Sequence, residues 1–444
     1  MLIVRDFPIA YPDVDGFVRR GTVQRVTAET IDVRCPALTP GEAVLIEQFN
    51  AARPLIAEVA VTDVDGARCA ILEHGARVRV GANVLCAGGR VGAYAGDVLL
   101  GRALDAWGRD LDRAPAKGRI VVPLESRSLD ARARGPIERP LRTGIAAIDA
   151  LTTIGYGQRV ALTAGAGVGK TTLLRRVVEH AEVDARVIAL VGERGREAAE
   201  TVRRLRALPE WPRTSLYCAT SETSAIERLT AARSATVQAE RLCRNGRHVL
   251  LVIDSLTRVA NAWRELALAA GEPMGPRGYP PSLGSTLARI VERAGARPEG
   301  SITAVYAVLV EGDDPFEPVT DAVRALLDGH IELSRRHAQA GRYPAIDVLR
   351  SLSRAMPDVA SPAQRADAAL IRHVLATLEN AEDLMAIGAY RAGSDAWLDA
   401  CVGLRPAIES FIFDGLGRPD DPLVRLAALA NELRRTPGPV PAVA

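Results

Sequence analysis

The run Ala164-Gly165-Ala166-Gly167-Val168-Gly169-Lys170-Thr171-Thr172 has the residue types and spacing of a loop that cradles phosphate. Glycines let backbone N–H groups curl around an anion, and a helix opening at the loop's end adds the positive end of its dipole. Lys170 is placed to reach β- and γ-phosphates as a compact charge, a task for which the bulkier, planar Arg is no equivalent. The chain writes nearly every other basic residue as Arg, its only lysines being Lys117 and Lys170, so a lysine here is informative. The Thr171 hydroxyl can ligate Mg²⁺, and Thr172 follows it in the same nucleotide-binding run. Ala164 stands where the strict pattern begins with Gly. The plain alternative is a Gly-rich turn that binds nothing. The apolar strand before the loop and the helix after it favour the phosphate site.

Two further carboxylates fit the same chemistry. His248-Val249-Leu250-Leu251-Val252-Ile253-Asp254 is an apolar strand running into an Asp, which delivers a carboxylate to the water shell of a Mg²⁺ ion. Alone this pattern is weak, because many buried strands end in Asp; within one α/β unit after a phosphate loop it gains meaning. The strand Val187–Val191 ends in Gly192-Glu193-Arg194-Gly195-Arg196-Glu197. From spacing, Glu193 is either the base that orients the attacking water or part of a solvated charge cluster at a helix start.

The elements that position these residues alternate in type. Val160–Thr163, Val187–Val191, Thr214–Ala219, Val249–Ile253 and Thr303–Val310 read as strands, with helices from Thr171 and over Ala225–Cys243. That alternation predicts an α/β fold, a mostly parallel sheet with helices on both faces. Before it, Val18–Val23, Ile31–Val33, Ala43–Glu47, Ala57–Val61 and Arg77–Val80 are Val/Ile-rich pieces between turn signals, as in a small β-barrel or sandwich. Gly88 to Arg142 reads as a Gly/Pro/Arg-rich lead-in. After Met356 the pattern is helical only: Ser361–Leu378, Glu379–Gly388, Ser394–Phe411 and Leu423–Arg434, with a Pro-rich end from Thr436 expected to fray. The predicted division is 1–88 barrel, 89–356 α/β core with the phosphate loop and 357–444 helical domain.

Composition narrows the function classes. The chain has 444 residues, 48% hydrophobic and 25% charged, the balance of a soluble globular protein of several domains. A formal net charge of only +2 does not call for nucleic acid as a partner. Cys35, Cys69, Cys86, Cys218, Cys243 and Cys401 form no C-x-x-C pair and have no His at zinc spacing, so free thiols in a reducing compartment are expected. Met1 to Gly16 has no signal-peptide pattern, and no apolar run is long enough to span a membrane.

The run from Ile137 to Leu174 resembles the catalytic subunit of rotary ATP synthases and their relatives. Asp254-Ser255-Leu256-Thr257-Arg258, Gly271-Glu272-Pro273, Arg277–Ser282, Gly300–Ile302, Val310-Glu311-Gly312-Asp313-Asp314, Leu327–Ile331 and the positions Tyr390, Gly393 and Asp395 are similar to the type III secretion and flagellar export ATPase branch. The resemblance spans about residue 17 to about 415. It implies an N-terminal β-barrel, a RecA-like P-loop core and a C-terminal helical domain, with ATP and Mg²⁺ as ligands. It also implies a hexamer with nucleotide at subunit interfaces. By position, Glu193 matches the catalytic carboxylate of the G-E-R motif, whose Arg194 joins the nucleotide-binding residues. Arg354 in Ser351-Leu352-Ser353-Arg354 matches the finger that reaches a neighbour's γ-phosphate. Tyr343 matches an aromatic that packs on adenine, the alternative being an ordinary core Tyr. Leu283-Gly284 and Leu287-Ala288-Arg289 depart from the family pattern, which has Phe and Pro in a loop facing the central pore.

The implied activity is ATP hydrolysis that releases chaperones from secreted proteins and helps unfold them. The implied partners are a central stalk, a peripheral stator, chaperone–effector complexes and, from the cytoplasm, the inner-membrane export gate. A flagellar export ATPase is the near alternative, and the short stretch before the barrel leans towards the injectisome type. A non-catalytic nucleotide-binding ring subunit is countered by Lys170, Glu193, Asp254 and Arg354 standing together in one sequence. An RNA-tracking hexameric helicase is countered by aromatics at 4%, too few for a stacking platform.

Overall fold

A computed structural model describes residues 7–11, 18–51, 53–73, 77–125, 130–310, 318–413 and 421–435. Glu311 to Asp314, the chain end from Thr436 and most of Met1 to Gly16 lie outside the described residues. The chain forms two compact units, residues 1–134 with 184–302, and residues 135–183 with 303–444.

The first unit opens with short antiparallel strands, Arg19–Val26, Thr30–Arg34, Glu42–Ile46, Leu55–Thr62 and Ala67–Ile71. The long strand Asn83–Ala95 pairs with both Arg19–Val26 and Glu42–Ile46 and so closes the sheet into the expected barrel. Val23, Ile31, Val33, Val44, Ile46, Leu55, Val59 and Val84 fill its interior. The expected strand Arg77–Val80 is not one: it is coil and turn, and Asn83–Ala95 takes its place, running past Gly88 into what read as lead-in. Its glycines are required by close packing. A Cβ at Gly89 would stand 2.4 Å from Ile9 Cγ2, and one at Gly92 2.7 Å from the Val122 carbonyl oxygen.

The same unit contains parallel strands. Ala185–Val191 lies between Thr214–Ala219 and His248–Asp254, and Arg102–Leu104 adds beyond Thr214–Ala219. Every residue of Ala185–Val191 is buried, Arg186 included, and Val187–Val191 reads as a continuous apolar run because the strand is covered on both faces. Helix Ala225–Arg244 is started by a capping box of Ser224 and Glu227. Its Gln238 is buried, accepts from Gly96 N–H at 2.8 Å and donates to the Gly96 carbonyl at 2.9 Å. Leu283–Val291, the segment that departs from the family pattern, is helical, with Gly284 exposed and nothing within 4 Å of where its Cβ would lie.

In the second unit, Arg159–Ala164 runs parallel to Ser301–Leu309 on one side and to Gly329–Leu333 on the other. Ile346–Ser353 adds antiparallel to Gly329–Leu333, an element the sequence did not announce. Helices Pro362–Asn380, Ala396–Ile412 and Pro422–Arg435 confirm the helical end, while the expected Glu379–Gly388 reduces to Glu382–Ala386. Polar side chains, Gln364 buried and Arg372 half-buried, fasten this end to the rest of its unit. Gln364 donates to Thr153 Oγ1 at 2.8 Å, and Arg372 donates to the carbonyls of Val348 at 2.6 Å and Leu151 at 3.0 Å.

Candidate nucleotide site

The phosphate loop leaves Arg159–Ala164 at Ala164 and enters helix Lys170–His180. Gly167 has φ 77° and Gly169, the helix N-cap, φ 96°, left-handed conformations that side chains disfavour. Leu173, Leu174, Val177 and Val178 bury one face of the helix and fix its first turn. Within the loop Gly165, Val168 and Lys170 are buried, whereas Ala166, Gly167, Thr171 and Thr172 are exposed. Arg335, which sequence reasoning did not single out, donates to the Ala166 carbonyl at 3.4 Å. This loop conformation, helix start, lysine and exposed threonine hydroxyl fit a nucleoside polyphosphate with its Mg²⁺.

Tyr343 stands beside the loop. Its ring lies against Gly169, it is 45% exposed and its hydroxyl donates to the Ala338 carbonyl at 3.2 Å. A core tyrosine would be buried; this one presents a face to solvent next to the phosphate-binding backbone. Arg354 is elsewhere on the same unit. It follows strand Ile346–Ser353, its side chain is exposed, and its backbone N–H donates to the Asp328 carbonyl at 2.9 Å. Asp328 N–H in turn donates to the Arg159 carbonyl at 2.9 Å. Arg354 is therefore seated at the start of the strand whose far end is the phosphate loop. Six residues of strand separate the two ends, about 17 Å at roughly 3.3 Å per residue. That exceeds the reach of one Arg side chain.

In the first unit Glu193 and Asp254 emerge from the same ends of adjacent parallel strands, with Leu190 in register opposite Asp254. Asp254 is 4% exposed and Glu193 is half-buried. Gly192 N–H donates to the Ala219 carbonyl at 2.7 Å and Ser221 N–H to the Glu193 carbonyl at 2.8 Å, which pins the Glu193 backbone to the neighbouring strand. The Ser255 side chain caps helix Leu256–Ala270 directly after Asp254. Arg194 is exposed at the N-cap of helix Gly195–Arg206, its guanidinium 3.3 Å from Glu197 Oε1. Arg258 is a residue the sequence reading quoted without a role. Its side chain runs along Gly192, where a Cβ would come 2.9 Å from Arg258 Cβ, so it lies beside the Glu193 turn. Its place in the first turn of a helix that starts just after Asp254 was the available signal.

Comparison with known proteins shows the family. Residues 144–353 match the ATP synthase alpha/beta family, nucleotide-binding domain, and residues 360–431 the T3SS EscN ATPase C-terminal domain. The flagellum-specific ATP synthase of Treponema pallidum (strain Nichols) is 41% identical over 403 residues, covering 89% of this chain and 89% of that protein. The SPI-2 type 3 secretion system ATPase of Salmonella typhimurium (strain LT2) is 41% identical over 406 residues, covering 91% and 92%. The assembled ATPase EscN of enteropathogenic E. coli, solved with its central stalk EscO, superposes with a TM-score of 0.82 at 35% identity over 92% of this chain and 100% of that one. No helix among the described residues is long and apolar enough to cross a membrane. On this evidence of sequence, fold and site the chain belongs to the ATP synthase alpha/beta family, in the branch of type III secretion and flagellar export ATPases, and is an ATPase of protein export.

Proposed function

We propose that this ATPase works as a ring, a hexamer, in which each subunit binds ATP on its own phosphate loop and lends Arg354 to the neighbour. The observation that carries this reading is the seating of Arg354 at the opposite end of strand Arg159–Ala164 from the loop, out of reach of its own phosphates. Gly165 to Gly169 offer backbone N–H groups to the phosphates, Lys170 neutralises them, and Tyr343 packs on adenine. Glu193 orients and deprotonates the attacking water, and Arg194 adds positive charge beside it. Thr171, and Asp254 through water, are the residues suited to hold Mg²⁺, which when bound draws charge from the phosphate oxygens. Arg354 stabilises charge that develops in the transition state, an effect of about 10³–10⁵ in rate in comparable sites.

The work of the ring is placed at the base of a type III secretion apparatus, in the cytoplasm against the inner-membrane export gate. A central stalk in the pore, a stator, and complexes of chaperones with secreted proteins are the partners; the EscN relative assembled with its central stalk EscO supports the first of these. Binding and hydrolysis shift each interface between open and closed through differential affinity. The proposed architectural divisions are 1–88, 89–356 and 357–444, with strand Asn83–Ala95 carrying the barrel across the first boundary. Steady-state hydrolysis against Mg²⁺ concentration, with Lys170→Ala and Thr171→Ala alongside, tests the assignment. Hydrolysis is expected to vanish without Mg²⁺ and in Lys170→Ala, and to need more Mg²⁺ in Thr171→Ala. Full turnover by Lys170→Ala sinks it.

A further inference from the structure

Arg354 has an exposed side chain and a hydrogen-bonded backbone N–H. Its N–H donates to the Asp328 carbonyl at 2.9 Å. The Asp328 carboxylate takes three hydrogen bonds from Arg159: Nε to Oδ2 at 3.0 Å, Nη2 to Oδ1 at 3.0 Å and the backbone N–H to Oδ2 at 3.1 Å. Gln158, fully buried, donates through Nε2 to the Asp328 carbonyl at 2.9 Å and to Ser353 Oγ at 3.0 Å. Ser353 Oγ donates onward to the Thr153 carbonyl at 2.7 Å. Gly329 allows the approach: a Cβ there would stand 2.4 Å from the Leu352 carbonyl oxygen and 3.2 Å from Ser353 Cα. Residues on both sides of the join, Asp328 and Ser353, are thus tied to the first residues of the phosphate-loop strand.

Pairing of strands Gly329–Leu333 and Ile346–Ser353 needs none of these side chains, because the backbone ladder already supplies it. A bidentate Arg–carboxylate pair fixes direction as well as distance. A long, flexible arginine delivers its charge accurately only if its Cα is fixed, and a misplacement of about 1 Å can cost about a hundredfold in rate. We propose that Asp328, Gln158 and Ser353 are positioning residues for Arg354, and that their effect on hydrolysis is exerted in the neighbouring subunit's site, not their own. This rests on the reading of Arg354 as a residue lent across an interface.

Mixed rings test it. Asp328→Asn and Ser353→Ala, the second removing only a hydroxyl, are assayed alone and mixed with Glu193→Gln or with Arg354→Ala. Each alone is expected to lose about ten- to a hundredfold in kcat with KM for ATP changed less than about twofold. Mixing either with Glu193→Gln restores activity, because an interface can then take an intact Arg354 seat from one chain and an intact Glu193 from the other. Mixing with Arg354→Ala restores nothing, because both lesions lie on the lending side. Restoration by Arg354→Ala instead, or unchanged kcat in both variants, overturns the proposal. If Arg354→Ala and Glu193→Gln do not complement each other, the shared-site reading itself falls, and the proposal with it.

Discussion

The ring of Tyr343 lies against Gly169: a Cβ at Gly169 would stand 3.3 Å from Tyr343 Cε1 and 3.4 Å from Cδ1. Gly169 also has φ 96°, where an L side chain costs about 1–2 kcal/mol. Gly169→Ala is expected to strain the loop and push the ring aside, weakening nucleotide binding. Tyr343→Ala should raise the Kd for a fluorescent ATP analogue by about tenfold, the worth of one lost stacking contact, while Tyr343→Phe keeps it. Equal binding by Tyr343→Ala and the unaltered chain would remove the adenine-packing role.

Gly192 and Arg258 make a second tight approach. With φ 70° and a Cβ that would lie 2.9 Å from Arg258 Cβ, Gly192 accepts no side chain without moving the turn that carries Glu193. Gly192→Ala should lower kcat by at least about tenfold with KM little changed, since the displaced group acts on the chemical step. Steady-state kinetics read the split; a pure KM effect would mean that this turn serves binding.

Glu240 sits between Arg293 and Arg297, with side chains about 5% exposed and N–O distances of 2.7 Å and 3.3 Å. Burial would raise its pKa, but the hydrogen bonds from Arg293 and the charges of Arg293 and Arg297 outweigh that and hold it below the usual range. A depressed folded pKa gives stability that is complete above the unfolded pKa, about 4.3, and lost as pH falls through the folded value. Glu240→Gln leaves two buried guanidinium groups without their carboxylate and should cost about 3–5 kcal/mol at pH 7. Urea melts of both proteins from pH 7 to pH 3 should converge as the pH falls; a constant gap contradicts the assignment.

His330 is held below its ordinary pKa by burial and by the charges of Arg324 and Arg354, against the hydrogen bond it shares with the Arg350 carbonyl. Its neutral form is the native one. The stability this represents is complete above the unfolded pKa, about 6.5, and declines as pH falls through the lower folded value. His330→Gln should flatten the loss of thermal stability over that acid window while leaving the melt at pH 8 within a few degrees. An unchanged pH profile would place the acid sensitivity elsewhere.

Much of this was legible because it depends on local patterns. The phosphate loop, the buried strands ending at Val191 and Asp254, and the Ser-Pro start of helix Pro362–Asn380 each carry a signal within a few residues. Asn83–Ala95 was missed because its glycines satisfy a requirement set by Ile9 and Val122, residues distant in sequence. The edge strand Ile346–Ser353 and the bonds from Gln158 and Asp328 beneath Arg354 were hidden for the same reason. Their partners are supplied by Gly329–Leu333 and by the start of Arg159–Ala164, and no period along the chain announces them. Arg354 itself came from resemblance, since nothing in its neighbours distinguishes it from a surface arginine; Arg258 lay in a recognised run whose arginine had no assigned task.

The most direct test of an Arg354 lent between subunits is ATP hydrolysis per chain against protein concentration, for the unaltered protein, Glu193→Gln, Arg354→Ala and an equal mixture of the two variants. The account predicts a specific rate that rises with concentration, near-complete loss in either variant alone, and partial recovery in the mixture, where an interface can draw Glu193 and Arg354 from different chains. A specific rate independent of concentration and untouched by Arg354→Ala would contradict it, and would mean that each chain completes its own site.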